Sequence, residues 1–267
     1  MRYFITVLII LTCYAAVAQV TVCSWNIQNL GRSKTDKDIA FIAGVLKKYD
    51  AVAIIEVVAG DGGPQAVARL SEALNRTGAR WDYSISDPTT SYAHGTERYA
   101  FLWKTSRLTR IGPAWLERKY SDIIDREPYL ISLKTGARTF TLAAYHAVPT
   151  AKHPGEEIPY LQYIPAEYPN RNIIFCGDYN LSQANEAFLP LKALGYKPAL
   201  VKQKTSLKRE CNEKGCLASE YDNVFYHPQY TKYISSGVEL FYTSFGTLAE
   251  AKKISDHIPV FFKFSLN

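Results

Sequence analysis

Short apolar runs, each closed by a polar residue, recur along the chain from Val20 onward. Val20 to Ile27 predicts a strand, with Asn26 near its end among apolar neighbours. Ala51 to Val58 predicts a second, apolar throughout except for Glu56. Trp81 to Ser86, Glu97 to Trp103, Tyr129 to Leu133, Phe140 to His146, Ile173 to Cys176, Tyr221 to Tyr226 and the terminal Ile258 to Phe262 read the same way. Gly136 predicts a hairpin joining the 129–133 and 140–146 strands, and Arg107 to Ile111 is expected to pair back on the 97–103 strand. Gly177 is expected to permit a sharp turn after the 173–176 run, leaving Asp178 and Asn180 on one side of the extended chain.

Helical spacing separates several of these runs. Ser33 to Asp36 reads as a helix start, followed by a stripe of Ile39, Ile42, Ala43 and Leu46. Gln65 to Asn75 predicts a second helix with Val67, Leu70 and Leu74 inward. Pro154 to Tyr168 reads as a helix weakened by Pro159 and Pro165, and Ala184 to Leu194 as one ended by Gly195. Hairpins between some strands and helices between others predict mixed sheets with helices on their outer faces. No repeat, low-complexity tract or linker divides the chain, so one domain is expected.

The N-terminus changes this picture. Met1-Arg2, the apolar run Phe4 to Leu11 and the exit Ala16-Val17-Ala18 form the pattern of a secretory signal peptide, with cleavage expected after Ala18. That run is too short for a confident membrane span, and no later stretch approaches spanning length. The mature domain would be residues 19–267, secreted or periplasmic and monomeric. Losing Arg2 and no acid takes the net charge from +6 to +5. This mild excess is compatible with a polyanionic partner. Lys202 to Ser206 with Lys208-Arg209 forms a basic polar loop, a solvated face able to meet phosphates. In an oxidising setting Cys211 and Cys216 are the candidate disulfide, while Cys23 and Cys176, inside apolar runs, read as buried free thiols.

The polar residues at strand ends carry the chemistry. Asn26, Glu56, Glu97, His146, Asp178, Asn180, Asp222, Asp256 and His257 each have a plain structural explanation alone, as caps, turn formers or halves of salt bridges. Together they supply oxygen donors for one hard divalent cation and two histidines, each with a possible carboxylate partner. That set suits phosphodiester hydrolysis, with the ion neutralising phosphate charge and the imidazoles moving protons on and off oxygen.

The motifs Trp25-Asn26-Ile27-Gln28-Asn29, Ile55-Glu56-Val57, Glu97-Arg98-Tyr99, Arg126-Glu127-Pro128, His146, Gly177-Asp178-Tyr179-Asn180, Tyr221-Asp222 and Ser255-Asp256-His257 stand in the order seen in the endonuclease/exonuclease/phosphatase superfamily. Glu-Arg-Tyr and Arg-Glu-Pro make the chain resemble its deoxyribonuclease I branch. The resemblance spans nearly the whole mature chain and implies a four-layer α/β sandwich of two packed mixed sheets flanked by helices. It implies Glu56 as principal ligand of Mg²⁺ (or Mn²⁺), with Asn26 and Asp256 near the ion. His146 and His257 would be the acid/base pair, partnered by Glu97 and Asp222. Asp178 and Asn180 would position water and phosphate, and Arg126 would contact the substrate backbone. The implied activity is endonucleolytic cleavage of DNA to 5′-phosphate ends, with structural Ca²⁺ sites elsewhere. Val58 and Gly95 stand where this branch has an arginine and a tyrosine that reach the minor groove, which removes groove contacts while leaving the chemistry. The sibling readings are a phosphodiesterase or phosphatase acting on lipid or sugar phosphates, and a binding protein that has lost catalysis.

Overall fold

A computed structural model describes residues 18–91 and 95–267. The leader proposed over residues 1–18 lies outside these except for Ala18. Because the most apolar runs have no polar face to turn to water, the central strands must be covered on both sides. The chain meets that demand with two sheets face to face and helical layers outside them.

In order, the elements are β1 (Gln19–Leu30), α1 (Asp36–Leu46), β2 (Ala51–Val58), α2 (Gly62–Asn75), β3 (Trp81–Ile85), β4 (Glu97–Lys104), β5 (Thr109–Arg110), β6 (Trp115–Leu116), β7 (Tyr129–Thr135) and β8 (Arg138–His146). They continue as α3 (Ile164–Glu167), β9 (Ile173–Asp178), α4 (Leu189–Ala193), β10 (Lys197–Pro198), β11 (Leu207–Asn212), β12 (Gly215–Leu217), β13 (Asp222–Tyr226), β14 (Thr231–Val238), α5 (Leu248–Ala251) and β15 (Val260–Leu266). The first sheet runs β14-β15-β1-β2-β4-β3, and the second β10-β13-β9-β8-β7-β5 with β6 also on β7. β1–β2 and β8–β9 are parallel pairs in otherwise antiparallel sheets.

Alternate residues of one strand serve different layers. Val22, Ala53, Ile55, Phe101 and Phe262 of the first sheet meet Ile131, Leu142, Ile174 and Val224 of the second in the central core. Their neighbours Trp25, Val52 and Ile54 face outward onto Ile39, Ile42 and Leu46 of α1 and Val67 and Leu70 of α2. On the far side Ala143, Tyr145, Ile173 and Phe175 meet Ile158, Leu161, Phe188 and Leu191. The result is the expected four-layer α/β sandwich.

Four local expectations need correction. Thr109–Arg110 pairs with β7 in the second sheet, not with β4; strand alternation marks an extended segment but does not name its partner. Residues 154–168 form two 3₁₀ segments, Pro154–Glu156 and Ile158–Tyr163, followed by the single turn of α3. Pro159 and Pro165 have no N–H to donate, which breaks a continuous helix. The 184–194 stretch is likewise a 3₁₀ turn, Glu186–Phe188, leading into α4. Finally, the first helix is capped by a reciprocal Thr35–Asp38 box rather than from Ser33.

Candidate active site

Strand register brings the chemistry to one edge. In β8, β9 and β13, His146 lies opposite Asp178 and Asp222 opposite Asp178, so three side chains stand at one level across adjacent strands. Gly177 makes this possible in a way that differs from expectation. The strand runs straight through it to Asp178, and a Cβ there would sit 1.8 Å from the Tyr145 carbonyl oxygen. Glycine is required for close approach of two backbones, not for a turn.

The first sheet delivers its residues through an irregularity. The β1–β2 register shifts between Asn26 and Leu30, and the β2–β4 register shifts between Ile54 and Val57. At this bulge Glu56 takes φ +61° and Asn29 φ +54°. A left-handed glutamate is uncommon, and a bulge re-aims the side chain it carries. Glu56 thereby escapes the inter-sheet core and turns to the cleft. Asn180, at φ +49°, adopts the same region just beyond β9.

The two histidines sit in hydrogen-bonded pairs that span the sheets. His146 Nδ1 lies 3.0 and 2.9 Å from the two carboxylate oxygens of Glu97. His257 Nδ1 lies 2.7 Å from Asp222 Oδ2. Asp178 Oδ2 is 3.6 Å from His146 Nε2 and 3.5 Å from His257 Nε2. Burial alone would lower both imidazole pKa values, but the facing carboxylates outweigh it. Glu97 raises His146, while Asp222 and Asp178 raise His257 well above its ordinary value. Conversely, burial favours protonated carboxyls, yet His257 and His146 hold Asp178 below the usual range, and His146 with Arg126 does the same for Glu97.

Asn26 links the two sides of the cleft. Its Nδ2 donates to Glu56 Oε1 at 2.8 Å and to Asp178 Oδ2 at 3.1 Å. Its Oδ1 is buried without a partner, and a buried polar atom left unpaired is costly. An orphaned amide oxygen beside a half-buried carboxylate is a fit for a hard divalent cation. Asp256 is half-buried and near enough to act electrostatically on Lys34 and His257. A tighter group, Asp178, Asp222 and His257, brings ligand atoms within 4.8 Å of one another. Asp222 and His257 in that group are already hydrogen-bonded to each other, so the orphaned oxygen beside Glu56 is the better cation candidate. No second such group among the described residues marks a separate Ca²⁺ site.

Arg126, expected to contact the substrate backbone, lies in the wall of the cleft with its guanidinium mostly buried. It is 4 % exposed, donating from Nη1 to Glu97 Oε2 at 3.0 Å and from Nη2 to the Ala147 carbonyl at 2.6 Å. It borders the cleft formed with Asn29, Glu56, Val58 and Gly95, and its Nε is buried without a partner. Asn180 Nδ2 donates to the same Ala147 carbonyl at 3.0 Å, and Asn180 N–H donates to Asp178 Oδ1 at 2.9 Å. The Ala147 carbonyl thus joins the Arg126 and Asn180 sides.

The structure adds supporting contacts that the sequence did not disclose, at Glu157, Thr205 and Lys34 and around Tyr221 and Ser255 of the motifs. Glu157 is buried and accepts from Asp125 N–H and Val148 N–H at 2.9 and 2.7 Å, clamping the two loops beside Arg126 and His146. Thr205 Oγ1 accepts from Asp222 N–H at 2.9 Å. Tyr221 stacks on His257 with centroids 6.2 Å apart and planes at 25°. Lys34 Nζ donates to the carbonyls of Lys253 and Ile254, both at 2.8 Å, just before Ser255. Ser255 Oγ in turn donates to the Asn26 carbonyl at 2.5 Å. A lone buried carboxylate or hydroxyl in a loop has no periodicity to betray it, although Glu157 adjoins the apolar Ile158 and Leu161.

Comparison with known proteins bears on the family and the fold. A deoxyribonuclease of Thioalkalivibrio sp. (strain K90mix) is 26 % identical over 99 % of this chain and 76 % of its own length. Deoxyribonuclease gamma of Homo sapiens is 28 % identical over 96 % of this chain and 89 % of its own. Among solved structures, an endonuclease/exonuclease/phosphatase family protein from Bacteroides thetaiotaomicron superposes with TM-score 0.66 at 15 % identity, covering 94 % of this chain and 99 % of that one. A mannosyl-6-phosphatase of the same organism superposes with TM-score 0.64 at 16 % identity, covering 93 % and 99 %. At such identities these structures speak for the fold alone. The sequence pattern of the Endonuclease/Exonuclease/phosphatase family matches residues 23–257, a span that runs from β1 through His257 and takes in every residue of the cleft. The chain therefore belongs to the endonuclease/exonuclease/phosphatase family.

Proposed function

We propose that this protein is a metal-dependent endonuclease that hydrolyses DNA, leaving 5′-phosphate and 3′-hydroxyl ends, and that it works outside the cytoplasm. The observation that carries this reading is the placement of two Nε2 atoms on either side of Asp178 Oδ2, at 3.6 and 3.5 Å, with each Nδ1 held by its own carboxylate. Phosphodiester hydrolysis needs a proton taken from water and a proton given to the leaving oxygen. Glu97 and Asp222 each accept a proton bond from Nδ1, which fixes the tautomer and leaves Nε2 to do the transfer. Asp178 holds the two imidazoles at a common point, and with Asn180 it offers the contacts that orient water and a phosphate oxygen. Arg126 keeps Glu97 charged and in place, so it acts through His146 rather than on substrate.

Glu56 and the Asn26 oxygen would hold Mg²⁺ or Mn²⁺, with Asp256 close by. Bound there, the ion would neutralise charge developing on the phosphate. The likeness to proteins named deoxyribonuclease favours DNA as the diester. Protein recovered from the exported fraction, with Gln19 as its first residue, is expected to nick plasmid in Mg²⁺, to stop in EDTA and to leave ends that ligase can rejoin. Plasmid left intact while sugar or lipid phosphates are hydrolysed would remove the nuclease reading in favour of its sibling.

A further inference from the structure

A disulfide-closed hairpin stands beside the cleft and takes no part in the chemistry described. β11 and β12 pair antiparallel, with Leu207 opposite Leu217 and Asn212 opposite Gly215, and Cys211–Cys216 closes the tip. Two strands alone are marginal in water. Here the cross-link constrains the tip, and Leu207 is buried with Ile254 and Ile258 at the base. The base is fastened to the catalytic segment. Ser206 forms a β-bridge with His257, Leu207 N–H donates to the Asp256 carbonyl at 2.7 Å, and Ile258 N–H donates to the Thr205 carbonyl at 2.8 Å. The hairpin therefore leaves the body directly beside His257.

Its charge is lopsided. Lys202, Lys204, Lys208, Arg209 and Lys214 lie along the segment, against Glu210 and Glu213, and Lys252 and Lys253 follow α5, which lies against β11. Lys208 is turned along the hairpin onto Asn212 and the Gly215 carbonyl. Lys204, Arg209 and Lys214 are exposed and meet no carboxylate among the described residues. Elsewhere on the surface Lys48, Arg69, Arg76, Arg107 and Lys119 each face a carboxylate of the protein itself, while Lys37, Lys47, Lys134 and Lys232, unpaired among the described residues, are scattered rather than gathered on one element beside the cleft. Unpaired cations on a preorganised element, continuous with a phosphodiester site, suit a repeating anion.

We propose that this hairpin is a substrate arm, in which Lys204, Arg209 and Lys214 bind nucleic-acid phosphates flanking the one that is cleaved. The proposal rests on the nuclease reading above. β11 has six residues, and an extended run of that length spans about 20 Å, the axial rise of about six nucleotides in one strand of a duplex. The arm would thus lengthen the footprint without touching the reacting atoms, and its contribution would be electrostatic and independent of base sequence.

The test compares wild type with the K204Q/R209Q/K214Q variant in duplex binding, small-diester turnover, phosphatidylserine-vesicle binding and plasmid cleavage. Binding of a 30-base-pair duplex is titrated in EDTA at several salt concentrations, and turnover of a small aryl phosphodiester is followed in Mg²⁺. The variant is expected to bind the duplex at least tenfold more weakly at about 0.1 M salt, with a log–log salt slope shallower by about two to three, near 0.9 for each lost contact. Small-diester turnover should stay within twofold. Unchanged duplex affinity and slope, with normal small-diester turnover, would overturn the arm while leaving the nuclease reading intact. Lost binding to phosphatidylserine vesicles with duplex binding retained would overturn it too, in favour of a membrane surface. Wild type that binds duplex with the expected slope but cleaves only other phosphates would sink the nuclease reading and leave the arm as a binding element.

Discussion

The two histidine–carboxylate pairs have the same parts and different neighbours. Both bridge the sheets: Glu97 opens β4 and His146 closes β8, while Asp222 opens β13 and His257 precedes β15. Their contacts are similar in length, 2.9 Å for one and 2.7 Å for the other. Behind Glu97, however, stands the buried guanidinium of Arg126, which opposes protonation of His146. Behind Asp222 stands the neutral Thr205, and Asp256 adds its charge near His257; Asp178 faces both imidazoles and so does not separate them. His257 is therefore raised well above the ordinary histidine value and His146 less so. Two identical side chains acquire different proton affinities from the charges beyond their immediate partners.

The largest effects test whether both pairs act in the same reaction. His146→Ala and His257→Ala should each lower turnover on DNA by at least about a thousandfold, within the range of lost acid–base catalysis. The double variant should fall well short of the product of the two losses, since the groups act as a unit. His257→Ala leaves Asp222 and Asp178 facing each other without a cation between them, whereas His146→Ala leaves Glu97 on Arg126, so the former should melt lower. With an aryl diester, whose leaving group needs no proton, only one of the two losses should shrink. Equal recovery of both variants on that substrate would mean the pairs do not divide the labour.

A smaller effect sharpens the contrast directly. Arg126→Met removes a cation near His146, so its pKa should rise. Asp222→Asn removes the principal carboxylate on His257, so its pKa should fall. Imidazole resonances of the metal-free protein, followed through a pH titration, should move in opposite directions. A shift of about one unit corresponds to roughly tenfold in the fraction of a given form, and the limbs of the pH–rate profile should follow. Shifts of the same sign in both variants would show that the neighbours assigned to each histidine are not the ones that govern it.

How much of this the sequence disclosed depends on the kind of signal each residue leaves. Glu56, Asp178 and His146 stand out because a polar residue in or at the end of an apolar run is costly unless something uses it, and all three lie in the cleft. Asn26 and Asp222 follow the same logic. The bulge at Glu56 left no such trace, because the run Ala51 to Val58 reads identically whether the glutamate continues the strand or turns out of it. Gly177 was visible, but its cause was not: a turn and a close backbone approach both demand glycine. The role of Arg126 was hidden because an arginine in a polar loop carries no mark of burial. The hairpin of β11 and β12 was legible only in fragments, as a basic loop and a pair of cysteines.

Lys34 is the most hidden of these, and its replacement makes the mildest test of the dyad contrast. Between Ser33 and Thr35 at a helix start, a lysine ordinarily points to water. Here it is 4 % exposed, with Nζ on two carbonyls at the end of the α5 segment. Burial lowers its pKa, while Asp38, Asp256 and Glu56 oppose that fall. The bonds fasten the segment leading to Ser255, Asp256 and His257 against the loop that follows β1, and so they support the His257 pair directly and reach His146 only through the charge of Glu56. Lys34→Met keeps the length of the stem and leaves both carbonyls without the ammonium, at a cost of about 2 kcal/mol. For a domain of this size the melting temperature should fall by about 4–8 °C. If the segment it holds serves only His257, the imidazole titration of His257 should shift in this variant and that of His146 should not. A shift in both would mean that the pairs are coupled through the cleft more tightly than their separate neighbours suggest.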